Sequence, residues 1–531
     1  MPAPNAKQQI TDEVLKIVGG NHFGRYDKVS VEQTWNMITS DGFLVPYAGY
    51  KNVSTVNVNS PGRVIYQSHT ANAIFAVWGN QFFKLVGPEF VPQFKGTLAT
   101  SSGDVYISEN NNKQIAITDY TNLYVYSYAD ESFQTSTTGA PGPNQFPVSF
   151  VHPGAISFQN GRLIVADTQS QRWYLSEANK ATIWPNTGAF VGALQSKPDT
   201  IQAVVPVPGG GNNALVFGHD VVEIWQDVGN ALFPYQKQSS LNIDYGCLNA
   251  SSIAALETHV VWLAANERSG PTIMVFQGNT ISSITTDGMD FKFSDIKNPT
   301  NCTGFLFRQD GHLLYQFTFP DANLSYVHDF NSHEFFTVTD ENLNYHPARN
   351  AVFYNNFYYF VSLKGGNLYE FGTQFTNIEY ASDNIQQIPR IRICPPYRLP
   401  TQRMFIIKSI AFTIEQGQPN TIEYIPFEEP IQMVFQDDSP METQDDKLLV
   451  LQQPFINDII ELASEAVDLS ISRDGGENFG NALRLDMNPT GVRRSRFIFQ
   501  RLGQANDCSV MLEFTGFSRF VVTDGVMEVY Q

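Results

Sequence analysis

Apolar and polar residues alternate in short bursts along most of this chain, and turn-forming pairs separate the bursts. The stretch Ala155–Glu177, AISFQNGRLIVADTQSQRWYLSE, shows the pattern in full. Ile156 and Phe158 alternate with small or polar neighbours, then Asn160-Gly161 offers both central residues of a type I′ turn their positive φ at low steric cost. Leu163, Val165, Trp173 and Leu175 resume the period of two. The stretch therefore predicts a hairpin followed by a third strand. One such unit cannot bury its own apolar face and needs neighbours of the same kind.

The neighbours recur. NAIFAVWGNQFFKLV (Asn72–Val86) reads as strand, Gly79-Asn80 turn, strand, and Asp104–Ser127 gives three strands. Ile201–Gln226 contains a glycine-rich turn and a second turn at Gly218-His219-Asp220, and Ser252–Thr285 is again strand-like. Gly304–Phe319 turns at Asp310-Gly311, and Ala351–Phe371 turns at Asn355-Asn356 and Gly365-Gly366. From Asn160 onward the central turns repeat roughly every 45 to 52 residues, the length of a propeller blade. The expected fold is all-β: a β-propeller of about six blades with an additional C-terminal β-rich region. A pair of β-sandwiches is the competing architecture.

The pattern breaks at both ends. Thr11-Asp12-Glu13 supplies an N-cap and first-turn acids for a short helix through Val18, ended by Gly19-Gly20. Gly24–Tyr50 is aromatic and turn-rich and reads as an extended segment, so residues 1–60 are expected to form an N-terminal arm and the propeller to span 61–388. Pro389, Pro395, Pro396 and Pro400 mark the next boundary. Residues 389–531 are expected to form the C-terminal β-rich region, which either completes the propeller or docks partners. An acidic insertion lies at about 427–466 within it, ending in the one convincing late helix, Phe455–Ala466.

Composition narrows the function classes. The chain has 531 residues, 13% aromatic and only 16% charged, with a net charge of −19. That balance opposes nucleic-acid binding through a generally basic surface, and it is equally compatible with solubility or with a surface that must not stick to DNA. Cys247, Cys302, Cys394 and Cys508 lie far apart and form no CxxC pair, so neither a disulfide framework nor a zinc site is expected. Residues 1–21 lack the pattern of a secretion signal, and the apolar run Ala351–Leu363 is too short to span a bilayer. A chain made in a reducing cytosol follows, and the four Asn-x-Ser/Thr sequons are read as chance.

Candidate chemistry is sparse. The nine histidines form no HxxxH or HExxH pattern, and no nucleophile elbow, Walker loop or dinucleotide fingerprint appears. Catalytic, cofactor and metal residues are each expected to be none. The sharpest local pattern is Ser472-Arg-Asp474-Gly-Gly476-Glu-Asn478-Phe479, an Asp-box, S-x-D-x-G-x-x-[WF]. Its aspartate accepts turn N–H groups, its glycine takes positive φ and its aromatic packs beneath the hairpin, which is a structural role. Arg493, Arg494, Arg496 and Arg501 form a local basic patch in GVRRSRFIFQRLG. There alternation places Arg496 and Ile498 on one face and Phe497 and Phe499 on the other. A solvated strand face, a contact to an acidic partner subunit and, last, a nucleic-acid contact are compatible with the patch.

Several blocks taken together resemble a known family. They are Trp35–Lys51, Asp104–Tyr126, Arg172–Trp184, Leu215–Gln236 and Ile243–Ala254. The most specific is the Phe-Gly…Glu-x-Trp…Gly…Phe-Pro order in LVFGHDVVEIWQDVGNALFPYQ. The chain resembles the packaged-DNA stabilisation proteins, or tail nozzle and hub proteins, of short-tailed bacteriophages. Asn478-Phe479 stands where that family carries Thr-Trp, and the 427–466 insertion has no counterpart. The resemblance implies a structural virion protein in the phage tail, made in the host cytoplasm and assembled as a homohexamer. It implies a ring below the portal-adaptor (head-to-tail connector) that continues the DNA channel and retains packaged DNA. Tail fibre, tailspike or plug proteins would be anchored to it, and genomic DNA would pass through without sequence-specific binding. A carbohydrate-binding or glycan-degrading β-propeller is the alternative.

Overall fold

The computed structural model describes residues 10–24, 31–56, 58, 60–136, 152–185, 187–381, 383–416, 431–432, 450–451, 465–487 and 494–530. Seven four-stranded antiparallel units follow one another through the middle of the chain. Blades 1 to 6 take residues 62–97, 106–135, 153–193, 201–243, 254–283 and 303–337. Blade 7 takes three strands from 348–372, and its fourth is Gly49–Thr55, paired antiparallel from Asn367↔Thr55 to Gly372↔Gly49. An upstream strand thus closes the ring.

The hairpins form where the turn chemistry puts them. Trp78 faces Gln81, Gln159 faces Arg162, Gln309 faces His312 and Tyr354 faces Phe357, each pair flanking a two-residue loop. Asn160-Gly161, Asp310-Gly311 and Asn355-Asn356 all take positive φ at both positions, as a type I′ turn requires.

Each blade is sandwiched between two others, so its inner strands are apolar on both faces: Ala73–Trp78 and His312–Phe319 are buried along their whole length. Seven separate cores fill the seven gaps between adjacent blades. They are typified by Phe75 and Phe82 with Tyr126, Trp173 with Trp225, Phe217 with Trp262, and Leu314 with Phe360. The seventh, between blades 7 and 1, packs Val361 and Leu368 on Ile74 and Trp78.

The remaining strands build a two-layer β-sandwich. One sheet runs in the order Ile10–Leu15, Gly525–Tyr530, Phe405–Gln416, Phe520–Val522, Phe43–Pro46, Met37–Ser40, with Arg494–Ala505 on the far side of Phe405–Gln416. The other contains Arg390–Ile393, Asp507–Thr515, Ala466–Ser472 and Leu483–Asp486. Leu15, Met37 and Leu44 from the N-terminal side pack with Phe412, Phe499, Leu512 and Met527 in one core. The two regions share backbone hydrogen bonds. Gln33–Trp35 pairs parallel with Phe335–Thr337 of blade 6 and antiparallel with Arg390–Ile393. Arg392, fully buried at this seam, donates to Glu32 at 2.6 Å and to Thr34 and the Gly20 carbonyl.

The helix expected at 11–18 is a strand instead. Ile10–Leu15 pairs with Gly525–Tyr530 and alternates exposed and less exposed positions; long-range pairing overrides a local cap signal. The Asp524 carboxylate accepts from the amides of Ile17 and Val18, which follow the strand. The segment expected as an arm supplies strands to the sandwich, the seam and blade 7. The helix expected at 455–466 lies outside the described residues except at its end, where Ala466 begins a strand, as does most of the 427–466 insertion. The α-helix present among the described residues, Asp287–Ser294, has no strong apolar stripe and went unread.

Candidate contact surface

A propeller's usual ligand site is the axis, where the innermost strands converge. Here side chains from non-adjacent blades meet across it. Tyr106 of blade 2 hydrogen-bonds Tyr120 at 3.0 Å and Ser251, on the approach to blade 5, at 3.2 Å. Asp104 forms an ion pair with Arg349 of blade 7 and accepts from Asn249 at 3.2 Å. Burial raises the pKa of both tyrosines, so they stay neutral hydrogen-bonding struts. The acid and the base that converge here neutralise each other.

The Asp-box residues lie at a tight turn after Ala466–Ser472. Asp474 Oδ1 accepts from the Glu477 and Asn478 amides at 3.2 and 3.0 Å, and from the Ser472 hydroxyl at 2.6 Å. These donors hold the Asp474 carboxyl well below its usual range, the Ser472 hydroxyl contributing most. Gly475 and Gly476 take φ of 80° and 94°, and Phe479, half-buried, bridges back to Ser472. The carboxylate is fully used in organising its own loop.

The arginines sit on Arg494–Ala505, at the margin of the first sandwich sheet. Arg494, Arg496 and Arg501 are exposed, Phe497 and Phe499 point into the core, and Arg493 lies outside the described residues. Across the outer face of this sheet Val14, Val526, Ala411 and Ile498 stand side by side in register on four adjacent strands. Val14 is 74% exposed, Val526 43%, Ile498 42%, and Ala411 between them only 9%. The small Ala411 forms the floor of a trough of about 510 Å³, edged by Asp12, Lys408, Arg496, Arg501 and Glu528. Lys408 is committed to Glu528 at 2.9 Å. The row escaped sequence reading because its members lie far apart in the chain. The placing of Ile498 with Arg496 on one face of its strand was its one visible trace.

The family model described as "Bacteriophage P22 Gp10, beta-propeller" matches residues 30–375, about two thirds of the chain. The chain belongs to this phage stabilisation family. No curated relative matches it. Among solved structures, "Structure of U3-55K" shares 9% identity, covering 61% of this chain and 98% of that one at a TM-score of 0.39. "Crystal Structure of Mitotic Checkpoint Complex" shares 12% identity, covering 60% and 95% at a TM-score of 0.37. The family match takes in the seam strand Gln33–Trp35, the closing strand and all seven blades, and ends before Arg390–Ile393 and the arginine-bearing strand.

One further constellation in this phage stabilisation protein looks catalytic at first sight. Ser40 Oγ lies 3.0 Å from His312 Nε2, and His312 Nδ1 lies 2.9 Å from Asp329 Oδ2. With Nδ1–H donating to the Asp329 carboxylate, the neutral imidazole's Nε2 accepts from the Ser40 hydroxyl. The adjoining cavity, about 360 Å³, is edged by Asp41 and Asp310. The Asp41 carboxylate opposes the oxyanion that an acyl-transfer step would develop there, and Asp310 is paired with Arg519 at 2.7 Å. The series instead fastens the Met37–Ser40 hairpin of the sandwich to blade 6. Among the described residues no three His, Cys, Asp or Glu side chains are grouped to hold a metal ion. The four cysteines are free and buried, and burial pushes the Cys247, Cys394 and Cys508 thiols up to about 12.

Proposed function

We propose that this phage structural protein is a tail nozzle subunit. It assembles as a homohexamer, sits below the portal-adaptor ring, continues the DNA channel and retains packaged DNA after filling. It carries a fibre, tailspike or plug, and no bond is made or broken in its work. The observation that carries the reading is the family match over a closed propeller whose own axis is bridged by side chains. A bridged axis leaves the channel to be formed between subunits rather than within one. The net charge of −19 supports the same reading, since acidic channel walls repel the DNA backbone and keep it sliding. The basic patch of Arg493, Arg494, Arg496 and Arg501 is read as a subunit contact, and the Asp-box as a turn that shapes the neighbouring sheet.

The glycan-binding or glycan-degrading alternative calls for open, convergent acids or arginines at the axis, and Asp104 and Arg349 are instead paired. The test is to purify particles carrying a labelled copy and measure its position and copy number. A ring of copies at the head-distal side of the connector is expected. Absence from the particle, or turnover of a polysaccharide by the purified chain, would overturn the reading.

A further inference from the structure

The outer face of the first sandwich sheet is built to be covered. Singly scattered surface valines mean little, but an apolar row four strands wide and in register is a patch of the kind that marks an interface. Val526 and Ile498 flank the low Ala411 floor, with Val14 one strand beyond Val526, so the trough offers a socket for one large apolar side chain, the usual energetic centre of a protein contact.

Charge says what covers it. Among the described residues Arg494, Arg496 and Arg501 form no ion pair, whereas Lys408 and Glu528 already satisfy each other. Three exposed guanidinium groups therefore flank the apolar row, with Arg496 close enough to assist Lys408 in lowering the Glu528 carboxyl pKa, on a chain with 52 acids against 33 Lys and Arg. Their complement is the acidic surface that every further copy of the chain presents in surplus. The strand Arg494–Ala505 pairs with Phe405–Gln416 alone among the described residues, and its arginines discourage another strand from adding to that edge. The face, not the edge, is left for docking.

We propose that this face docks onto the acidic surface of a second copy of the chain, the large apolar anchor entering the trough over Ala411 and carboxylates meeting Arg494, Arg496 and Arg501. The proposal rests on the self-assembly in the reading above and assigns it a surface. A basic patch meeting an acidic one elsewhere on the next copy is a heterologous contact, the type that closes into rings.

The test is sedimentation velocity of the full-length chain over a range of concentrations and at low and raised salt. It compares wild type with Ile498→Glu/Val526→Glu and with Arg494→Glu/Arg496→Glu/Arg501→Glu. Circular dichroism and melting temperature verify that the variants fold, and the matching Arg→Lys set serves as a charge-preserving control. Expected are assemblies larger than a monomer for wild type and the Lys set, weakened by salt. Each disruptive set should weaken association at least about ten-fold while the fold persists. A wild type that remains monomeric overturns both this proposal and the ring reading. Folded variants that assemble like wild type overturn this surface alone and leave the ring reading standing. Arginines needed only for a duplex-DNA mobility shift, with assembly untouched, likewise overturn it.

Discussion

The propeller and the sandwich are built from the same kind of strand, yet they are specified in opposite ways. Most blade strands pair with a neighbour a few residues away, across Asn160-Gly161, Asp310-Gly311 or Asn355-Asn356. The long-range exception is Gly49–Thr55, which closes blade 7. In the sandwich the rule is reversed: Ile10–Leu15 pairs with Gly525–Tyr530, and Phe43–Pro46 with Phe520–Val522. Local pairing gives the propeller its regularity and a buried, self-satisfied axis. Non-local pairing gives the sandwich an outer face assembled from four distant segments, and there the unsatisfied apolar and basic groups collect.

Breaking the seam between the two should have the widest effect. Arg392→Ala empties a buried site and leaves Glu32 only the more exposed Lys16 at 3.6 Å, at a cost of about 3 kcal/mol. The loss should register in both regions at once. The six tryptophans all belong to the blades or the seam strand. Thiol labelling separates Cys247 and Cys302 in the propeller cores from Cys394 and Cys508 in the sandwich core.

A similar cost, but confined to one region at first, is expected for Tyr50→Ala in the closing strand. Tyr50 is fully buried against Phe360 and Tyr369, and emptying an aromatic site costs about 3–5 kcal/mol. Cys302 should become labelled before Cys508. Simultaneous labelling would show the two regions to be a single cooperative unit.

Acid should sharpen the comparison further. His328 in blade 6 and His346 at the entry to blade 7 are buried, and that burial lowers each pKa to about 3. Unfolded, each titrates near 6.5. The unfolded chain therefore binds more protons between these values, and the contribution to stability, full above about pH 6.5, is lost as pH falls toward 3. Tryptophan-monitored melting temperature should drop through that window. His346→Gln should flatten the slope; an unchanged slope would remove this assignment.

The smallest effect is expected at the latch between sandwich hairpin and blade. Ser40→Ala removes one partly exposed hydrogen bond to His312, worth about 1 kcal/mol, and should leave the assembly state unchanged. Chemical denaturation is sensitive enough to read it.

The same contrast explains what was legible in the sequence. The blade hairpins, the Asp-box turn and the alternation of Arg496 and Ile498 against Phe497 and Phe499 are local patterns, and each was readable within ten residues. The closing strand was not, because nothing in Gly49–Thr55 names Asn367–Gly372 as its partner. Nor was Ile10–Leu15, whose cap-like Thr11-Asp12-Glu13 imitates a helix start while the strand that claims it lies at the other end of the chain. The trough over Ala411 was invisible for the same reason, since its four walls come from four separate segments.

Hydrogen exchange comparing the free protein with the same protein in assembled particles tests the account most directly. New protection is expected on the peptides carrying Val14, Ile498 and Val526, and none around Tyr106 and Arg349 at the propeller axis. Protection gained at the axis, with the sandwich face exchanging as freely as before, would contradict it.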